Sequence, residues 1–329
     1  WNISSATISH DRRQIAFASN EDGMSRLYLL DTKTRDYRQV EAVPTGLVYD
    51  IKFSPDDRRL AMTVNTAQSP SDSYVLDLGM EPLAYGSLTR WTESEVGGLD
   101  TTLFSTPELV HYPTFDKDGD VPREIPAWVY KPRGKGPHPV VISIHGGPEG
   151  QSRPAFSSTY RMWIDKLGAA VIQPNVRGST GYGKTYTGLD NGFQREDSVK
   201  DIGALLDWIE TQPDLDKNRV AVFGGSYGGY MVLASAVHYS DRLKAAVEIV
   251  GISNFVTFLE NTQDYRRDLR RVEYGDERDP AMREHLQKIS PLNNVDRINV
   301  PMFIAQGEND PRVPVTEAVQ MVNALRSNG

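Results

Sequence analysis

Five near-continuous apolar runs constrain this chain more than any other feature: PVVISI (139–144), AAVIQP (169–174), VAVF (220–223), AAVEIV (245–250) and PMFIAQ (301–306). A strand with one wet face alternates polar and apolar residues, so unbroken apolar runs need cover on both faces. That cover is encoded between them. In DSVKDIGALLDWIETQ, Val199, Ile202, Leu206 and Ile209 fall on one helical face, and Pro213 follows the end. Strands alternating with helices predict an α/β architecture, a doubly wound and mostly parallel sheet over residues 106–329. The segment FDKDGDVPREIPAWVY (115–130) reads as a hairpin leading into it. Its DKDGD resembles a calcium loop, but the position that should carry the closing acid is Ala127 and the glycine comes too early, so a turn is expected and no metal.

Residues 1–105 have a different rhythm. Short strand-like segments (RQIAFAS, SRLYLLD, YDIKFS, RRLAMTV, DSYVLDL) are separated by turn-forming clusters. The pattern repeats literally, SHDRRQIAFAS from Ser9 against SPDDRRLAMTV from Ser54, with Ala16 and Ala61 45 residues apart. That period suits one four-stranded blade of a β-propeller. A propeller needs about four blades to close, so two blades read as the last blades of a longer one, with a small β-sandwich as the alternative.

Composition narrows the function classes. Thirty-six Lys and Arg against 44 Asp and Glu give a net charge of -8, the wrong sign for a nucleic-acid footprint. No run approaches the ~18 apolar residues of a membrane span, and the first residues lack the pattern of a signal peptide. With no cysteine there is no thiol chemistry or thiolate metal site, which leaves the compartment open: cytoplasmic, or exported if an earlier N-terminus carried a signal.

The chemistry centres on AVFGGSYGGYMV (221–232). Gly224-Gly225-Ser226-Tyr227-Gly228 matches Gly-x-Ser-x-Gly between a buried strand and an apolar helix, the setting in which a strained turn presents a nucleophilic serine. A phosphate-binding loop would want different glycine spacing and a following lysine, both absent. In SIHGGPEG, a glycine pair at a strand end can bring backbone N–H groups against a developing oxyanion. The donors expected are the N–H of Tyr227 and that of Gly147, with Gly146 as the alternative, and His145 as a positioning residue. In IAQGENDPRVPV, Asp310 lies beyond the end of an apolar strand, where open α/β sheets gather functional groups, and Glu308 is the competing acid.

Together HGGPEG, NVRGSTGYG, GGSYGGY and GENDPRVP, behind blade-like repeats, resemble the prolyl oligopeptidase family of serine peptidases, and within it the acylaminoacyl-peptidase and dipeptidyl-aminopeptidase-like branch. The resemblance implies an α/β-hydrolase domain preceded by a β-propeller and cleavage of short peptides without a cofactor. It makes Ser226 the nucleophile, Asp310 the acid of the triad, and Tyr227 and Gly147 the oxyanion hole. Arg177 matches a recurrent family arginine with a structural or near-site role. Ile252 and Phe255, in VGISNFV, are candidates for the substrate pocket. A carboxylesterase on the same machinery and a non-catalytic hydrolase-like interaction protein are the competing functions. Oligomeric state is open, a homo-oligomer included.

One component of the triad has no candidate. In this fold's chain order the histidine follows the acid, but none of the 19 residues after Asp310 is histidine. The expectation is therefore a fragment truncated at both ends, with the catalytic histidine outside it and its last sheet strand left as an unprotected edge.

Overall fold

The computed structural model describes residues 1–328, which form two compact units. The first comprises Trp1–Pro107 together with Arg153–Met162. It contains two four-stranded antiparallel sheets in sequential order: β1 (Asn2–Ile8), β2 (Gln14–Glu21), β3 (Met24–Asp31) and β4 (Tyr37–Gln39), then β5 (Gly46–Phe53), β6 (Arg59–Thr66), β7 (Ser69–Leu78) and β8 (Tyr85–Arg90).

The sequence repeat is reproduced bond for bond. Ser9 Oγ donates to Asp11 (2.7 Å) and accepts from the Gln14 N–H (3.0 Å), while Ser54 Oγ donates to Asp56 (2.6 Å) and accepts from the Arg59 N–H (2.9 Å). In both turns one non-glycine residue takes a left-handed conformation, Arg12 at φ 62° and Asp57 at φ 53°. Yet the equivalent alanines differ: Ala16 is buried and Ala61 exposed. The first sheet turns Ala16, Ala18, Leu27 and Leu29 into the shared core, and the second meets them with Leu60, Met62, Val64 and Leu76 from its opposite face. This face-to-back stacking is how propeller blades associate.

Among the described residues, the second unit comprises 108–152 and 163–328. Its sheet has seven strands in the order β15-β14-β13-β11-β12-β10-β9. These are β9 (Glu108–Asp118), β10 (Val121–Tyr130), β11 (His138–Ile144), β12 (Ala170–Pro174), β13 (Leu215–Gly225), β14 (Ala245–Ile249) and β15 (Met302–Ala305). β11 to β15 are parallel, and the β9–β10 hairpin joins antiparallel at one edge. The chain's helices are α1 (Ser158–Leu167), whose residues up to Met162 belong to the first unit, and, in the second, α2 (Lys184–Thr187), α3 (Asp197–Glu210), α4 (Tyr227–Tyr239), α5 (Phe255–Asn261), α6 (Asp264–Tyr274), α7 (Pro280–Ile289) and α8 (Val315–Asn328). Each of the five apolar runs lies in or overlaps one of the parallel strands, and α3 buries Val199, Ile202, Leu206 and Ile209. α4 is buried along most of its length beside the central strands, as a helix apolar on all sides must be. β15 is the opposite edge of the sheet, with Phe303 exposed on it. No helix among the described residues is long and apolar enough to cross a membrane.

Candidate active site

Loops carrying the sequence candidates leave the C-terminal ends of β11, β13 and β15, where an open parallel sheet collects its functional groups. Between β13 and α4, Ser226 adopts φ 58° and ψ -121°, a conformation that costs a non-glycine residue of order 1–3 kcal/mol. The surroundings impose it. The Ser226 N–H donates to Ile249 O (2.9 Å), and its carbonyl accepts from the N–H groups of Gly229 (2.9 Å) and Tyr230 (3.1 Å). Gly228 packs so closely that a Cβ there would overlap the Ile144 carbonyl, and a Cβ on Gly146 would come 3.4 Å from the Ser226 Cβ. The HGG loop and the serine turn are therefore in direct contact, which only glycine permits.

Ser226 is half-buried, and its hydroxyl has no hydrogen-bond partner among the described residues. The N–H of Tyr227, first residue of α4, also lacks an acceptor, as helix geometry requires of an uncapped first turn. The Gly147 N–H likewise meets none among the described residues. Gly147 has φ 140°, which a side chain would resist, and its carbonyl is gripped by Arg270 Nη1 (2.9 Å) and the Tyr274 hydroxyl (3.3 Å). A helix N-terminus with free donors attracts developing negative charge.

His145 is engaged elsewhere. Its Nε2 is 2.9 Å from Ser179 Oγ and its Nδ1 2.8 Å from Gly146 O, and burial lowers its pKa. It fastens the glycine loop to the segment carrying Arg177.

Asp310 is partly buried and uses one oxygen, Oδ1, to accept from the N–H groups of Arg312 (2.7 Å) and Val313 (3.2 Å). Burial acts to raise its pKa, but these bonds and the Arg312 charge hold the carboxyl below the usual range. Oδ2 accepts no hydrogen bond among the described residues, so an ionised oxygen is uncommitted. Glu308 is exposed.

None of the six histidines is hydrogen-bonded to Ser226 or Asp310 among the described residues. His10 pairs with Asp57 (2.8 Å) in the first unit, His238 with Glu196 (2.8 Å), and His285 packs on the Phe193 ring. His111 lies in β9 and His138 begins β11. No group of three or more metal-ligating side chains is found among the described residues.

Three further candidates are buried. Arg177 lies between two acids, with bonds to Asp201 (2.8 and 3.0 Å) and Asp116 (2.9 Å), and its guanidinium covers the Phe115 ring. It clamps the β9–β10 hairpin to α3. Ile252 and Phe255 are in the core, 1 % and 0 % exposed, with the Phe255 ring against Tyr230 and Tyr274.

Two features of this region escape sequence reasoning. The first is a buried ion pair: Arg195 and Asp190, both 0 % exposed and 2.6 Å apart, reach the Tyr227 hydroxyl (3.2 Å from Arg195, 3.3 Å from Asp190). Their stretch, DNGFQRED, has the composition of a solvated loop. The second is Glu248, buried in β14, whose carboxylate accepts the Gly251 N–H and lies against the Gly229 backbone. Burial pushes its pKa up to about 7, the Gly251 bond opposing. The folded state thus holds the proton more tightly than the unfolded chain, so its stabilisation is complete below about pH 4.5 and is lost as pH rises through 7. Glu248→Gln is expected to flatten thermal stability between pH 5 and 8, removing a dependence of order 3 kcal/mol. Parallel pH series of melting temperature check this; identical slopes would refute it.

Comparison with known proteins identifies the family and the fold. Residues 154–329 match the prolyl oligopeptidase family, Peptidase_S9. Dipeptidyl aminopeptidase BIII of Pseudoxanthomonas mexicana is 33 % identical over 308 residues, covering 89 % of this chain and 42 % of its own length. The acylamino-acid-releasing enzyme of Rattus norvegicus is 23 % identical, covering 97 % of the chain and 44 % of its own. Among solved structures, a puromycin-hydrolyzing peptidase of Mycobacterium tuberculosis superposes with a TM-score of 0.81 at 25 % identity, over 98 % of this chain and 48 % of that one. An acylaminoacyl peptidase of Pyrococcus horikoshii superposes with a TM-score of 0.77 at 24 % identity, over 100 % and 49 %. The chain thus spans under half the length of each of these relatives. With an α/β-hydrolase sheet, propeller-type blades and a family match over more than half its residues, the chain belongs to the prolyl oligopeptidase family.

Proposed function

We propose that the protein containing this chain is a serine peptidase that cleaves short peptides through an acyl-enzyme on Ser226. The observation that carries the reading is the strained, unpartnered Ser226 beside two backbone N–H groups with no acceptor. Ser226 Oγ adds to the peptide carbonyl while its proton passes to a histidine. The tetrahedral oxyanion takes hydrogen bonds from the N–H groups of Tyr227 and Gly147. The histidine returns the proton to the leaving amine, the C–N bond breaks, and water repeats the sequence on the acyl-enzyme. Asp310, through Oδ2, orients that histidine, which is none of the six in these 329 residues. Residues 1–105 supply propeller blades and residues 106–329 the catalytic domain. The names of the relatives, an aminopeptidase and an acylamino-acid-releasing enzyme, favour substrates cut near an amino terminus. Ile252 and Phe255 back the pocket from the core instead of facing substrate, and Arg177 serves its loop.

Fluorophosphonate labelling tests the reading. In a longer chain that includes a downstream histidine, the probe is expected on Ser226, with hydrolysis of aminoacyl-arylamides, while residues 1–329 alone show little turnover. Equal turnover by both chains would exclude an external base. Absence of labelling in the active chain would exclude Ser226, and short-chain esters cleaved with arylamides untouched would make it an esterase.

A further inference from the structure

The helix α6, DYRRDLRRVEY, reads as a solvated helix: four arginines, several acids, and Tyr265, Leu269 and Val272 exposed. Its last turn is different. Arg270 donates to Gly147 O (2.9 Å) and pairs with the Glu273 carboxylate, and the Tyr274 hydroxyl donates to the same Gly147 oxygen (3.3 Å). From the other side, Arg195 Nη2 donates to the Glu273 carbonyl (2.5 Å), while its Nη1 reaches the Tyr227 hydroxyl (3.2 Å) and Asp190 (2.6 Å). The Tyr274 ring stacks on that of Tyr227, centroids 6.0 Å apart and planes 16° from parallel.

A continuous path of bonds therefore joins Tyr227 to Gly147 through the end of α6. These two residues carry the proposed oxyanion donors, and the Gly147 end is the freer of the two: the Tyr227 N–H shares a peptide plane with the Ser226 carbonyl, which accepts from Gly229 and Tyr230. Gly147 has the rotational freedom of glycine, so its N–H needs an outside support to stay in register with that of Tyr227. Stabilising an oxyanion depends on donors already at the right separation, since reorganisation during reaction forfeits the gain.

We propose that the last turn of α6, backed by Arg195, sets the separation of the two oxyanion donors, making Arg270 and Tyr274 positioning residues for peptide cleavage. This rests on the peptidase reading above. Both act through the Gly147 carbonyl, and so on the residue whose N–H is the proposed donor. Their loss should affect the transition state more than substrate binding.

The test is kinetic, in the full-length protein. Arg270→Met is expected to lower kcat about 30-fold with KM changed by less than about 3-fold, and Tyr274→Phe about 5-fold with the same pattern, since displaced donors cost up to about 100-fold. Affinity for a peptide aldehyde, which forms a tetrahedral adduct, should fall in parallel with kcat, while affinity for the cleaved product stays level. Arg270→Lys, which keeps a charged donor, should recover part of the loss. Tyr274→Phe deletes a single hydroxyl and so remains informative if Arg270→Met does not fold. Ser226→Ala separates the two hypotheses. If it retains activity, the peptidase reading falls. If it is inactive but Arg270→Met or Tyr274→Phe keeps wild-type kcat, or loses product affinity as much as kcat, the positioning role falls alone.

Discussion

Ser226→Ala is expected to reduce kcat of the full-length protein by about 10⁶-fold, and Asp310→Asn by about 10⁴-fold, with KM changed little in either. The two figures differ because the residues do different work. Without the hydroxyl no acyl-enzyme forms, and what survives is the smaller rate enhancement due to binding and oxyanion stabilisation. Asparagine keeps the shape of the acid and the Oδ1 bonds to Arg312 and Val313, but it places a neutral amide where the imidazolium needs an anion. Since the Asp310 carboxyl is held below the usual range, it is ionised throughout the neutral region, and loss of activity toward pH 7 and below should track the histidine. Steady-state kinetics on an aminoacyl-arylamide across pH 5–9 measures all three effects. Glu308→Gln is the control: exposed Glu308 should leave kcat within about 2-fold, and a collapse there with Asp310→Asn unaffected would transfer the role to Glu308.

Arg195→Met should destabilise the fold by about 3–5 kcal/mol, because it strands the Asp190 carboxylate in a fully buried site. In a unit of this size that corresponds to a fall of roughly 6–20 °C in melting temperature. Pairing it with Asp190→Leu should restore much of the loss, since an apolar pair of similar volume needs no desolvation of charge. A double-mutant cycle by thermal melting decides it: additive losses would show that the two residues are not a unit. The restored protein should still be catalytically impaired, as Tyr227 would have lost both hydroxyl partners supplied by the pair.

Much of the fold was legible because its signals were local. Apolar runs, the face of α3 and the Ser9 and Ser54 turns are determined within a dozen residues, and the structure places each in the expected kind of element. The Gly-x-Ser-x-Gly setting was equally local, since strand, turn and helix are consecutive. What the sequence hid depends on distant pairings. Segment 153–162 packs with the first unit although it follows the first core strand of the second, through bonds such as Arg153 to Gly23 O (2.6 Å) and Phe156 N–H to Asn65 (2.8 Å). Arg195 and Arg270 were hidden for a related reason: a charged residue in a polar stretch looks solvated until tertiary contacts bury it. Ile252 and Phe255 show the reverse, since apolar residues near a strand end fit a pocket or a core equally well in sequence, and here the core takes their side chains.

The crowding around Ser226 has a consequence for how the protein matures. The serine's conformation is maintained by Ile249 O from β14, by the Ile144 carbonyl against Gly228, and by Gly146 against its own Cβ. Three strands must therefore dock before Ser226 takes the geometry proposed for the nucleophile, and a partly folded chain carries only an ordinary, weakly nucleophilic serine. With Ser226 as the proposed nucleophile, reactivity is expected to be a late product of assembly: a nascent or misfolded copy should be chemically quiet, and the rate of fluorophosphonate capture should serve as a clock for the closing of the sheet.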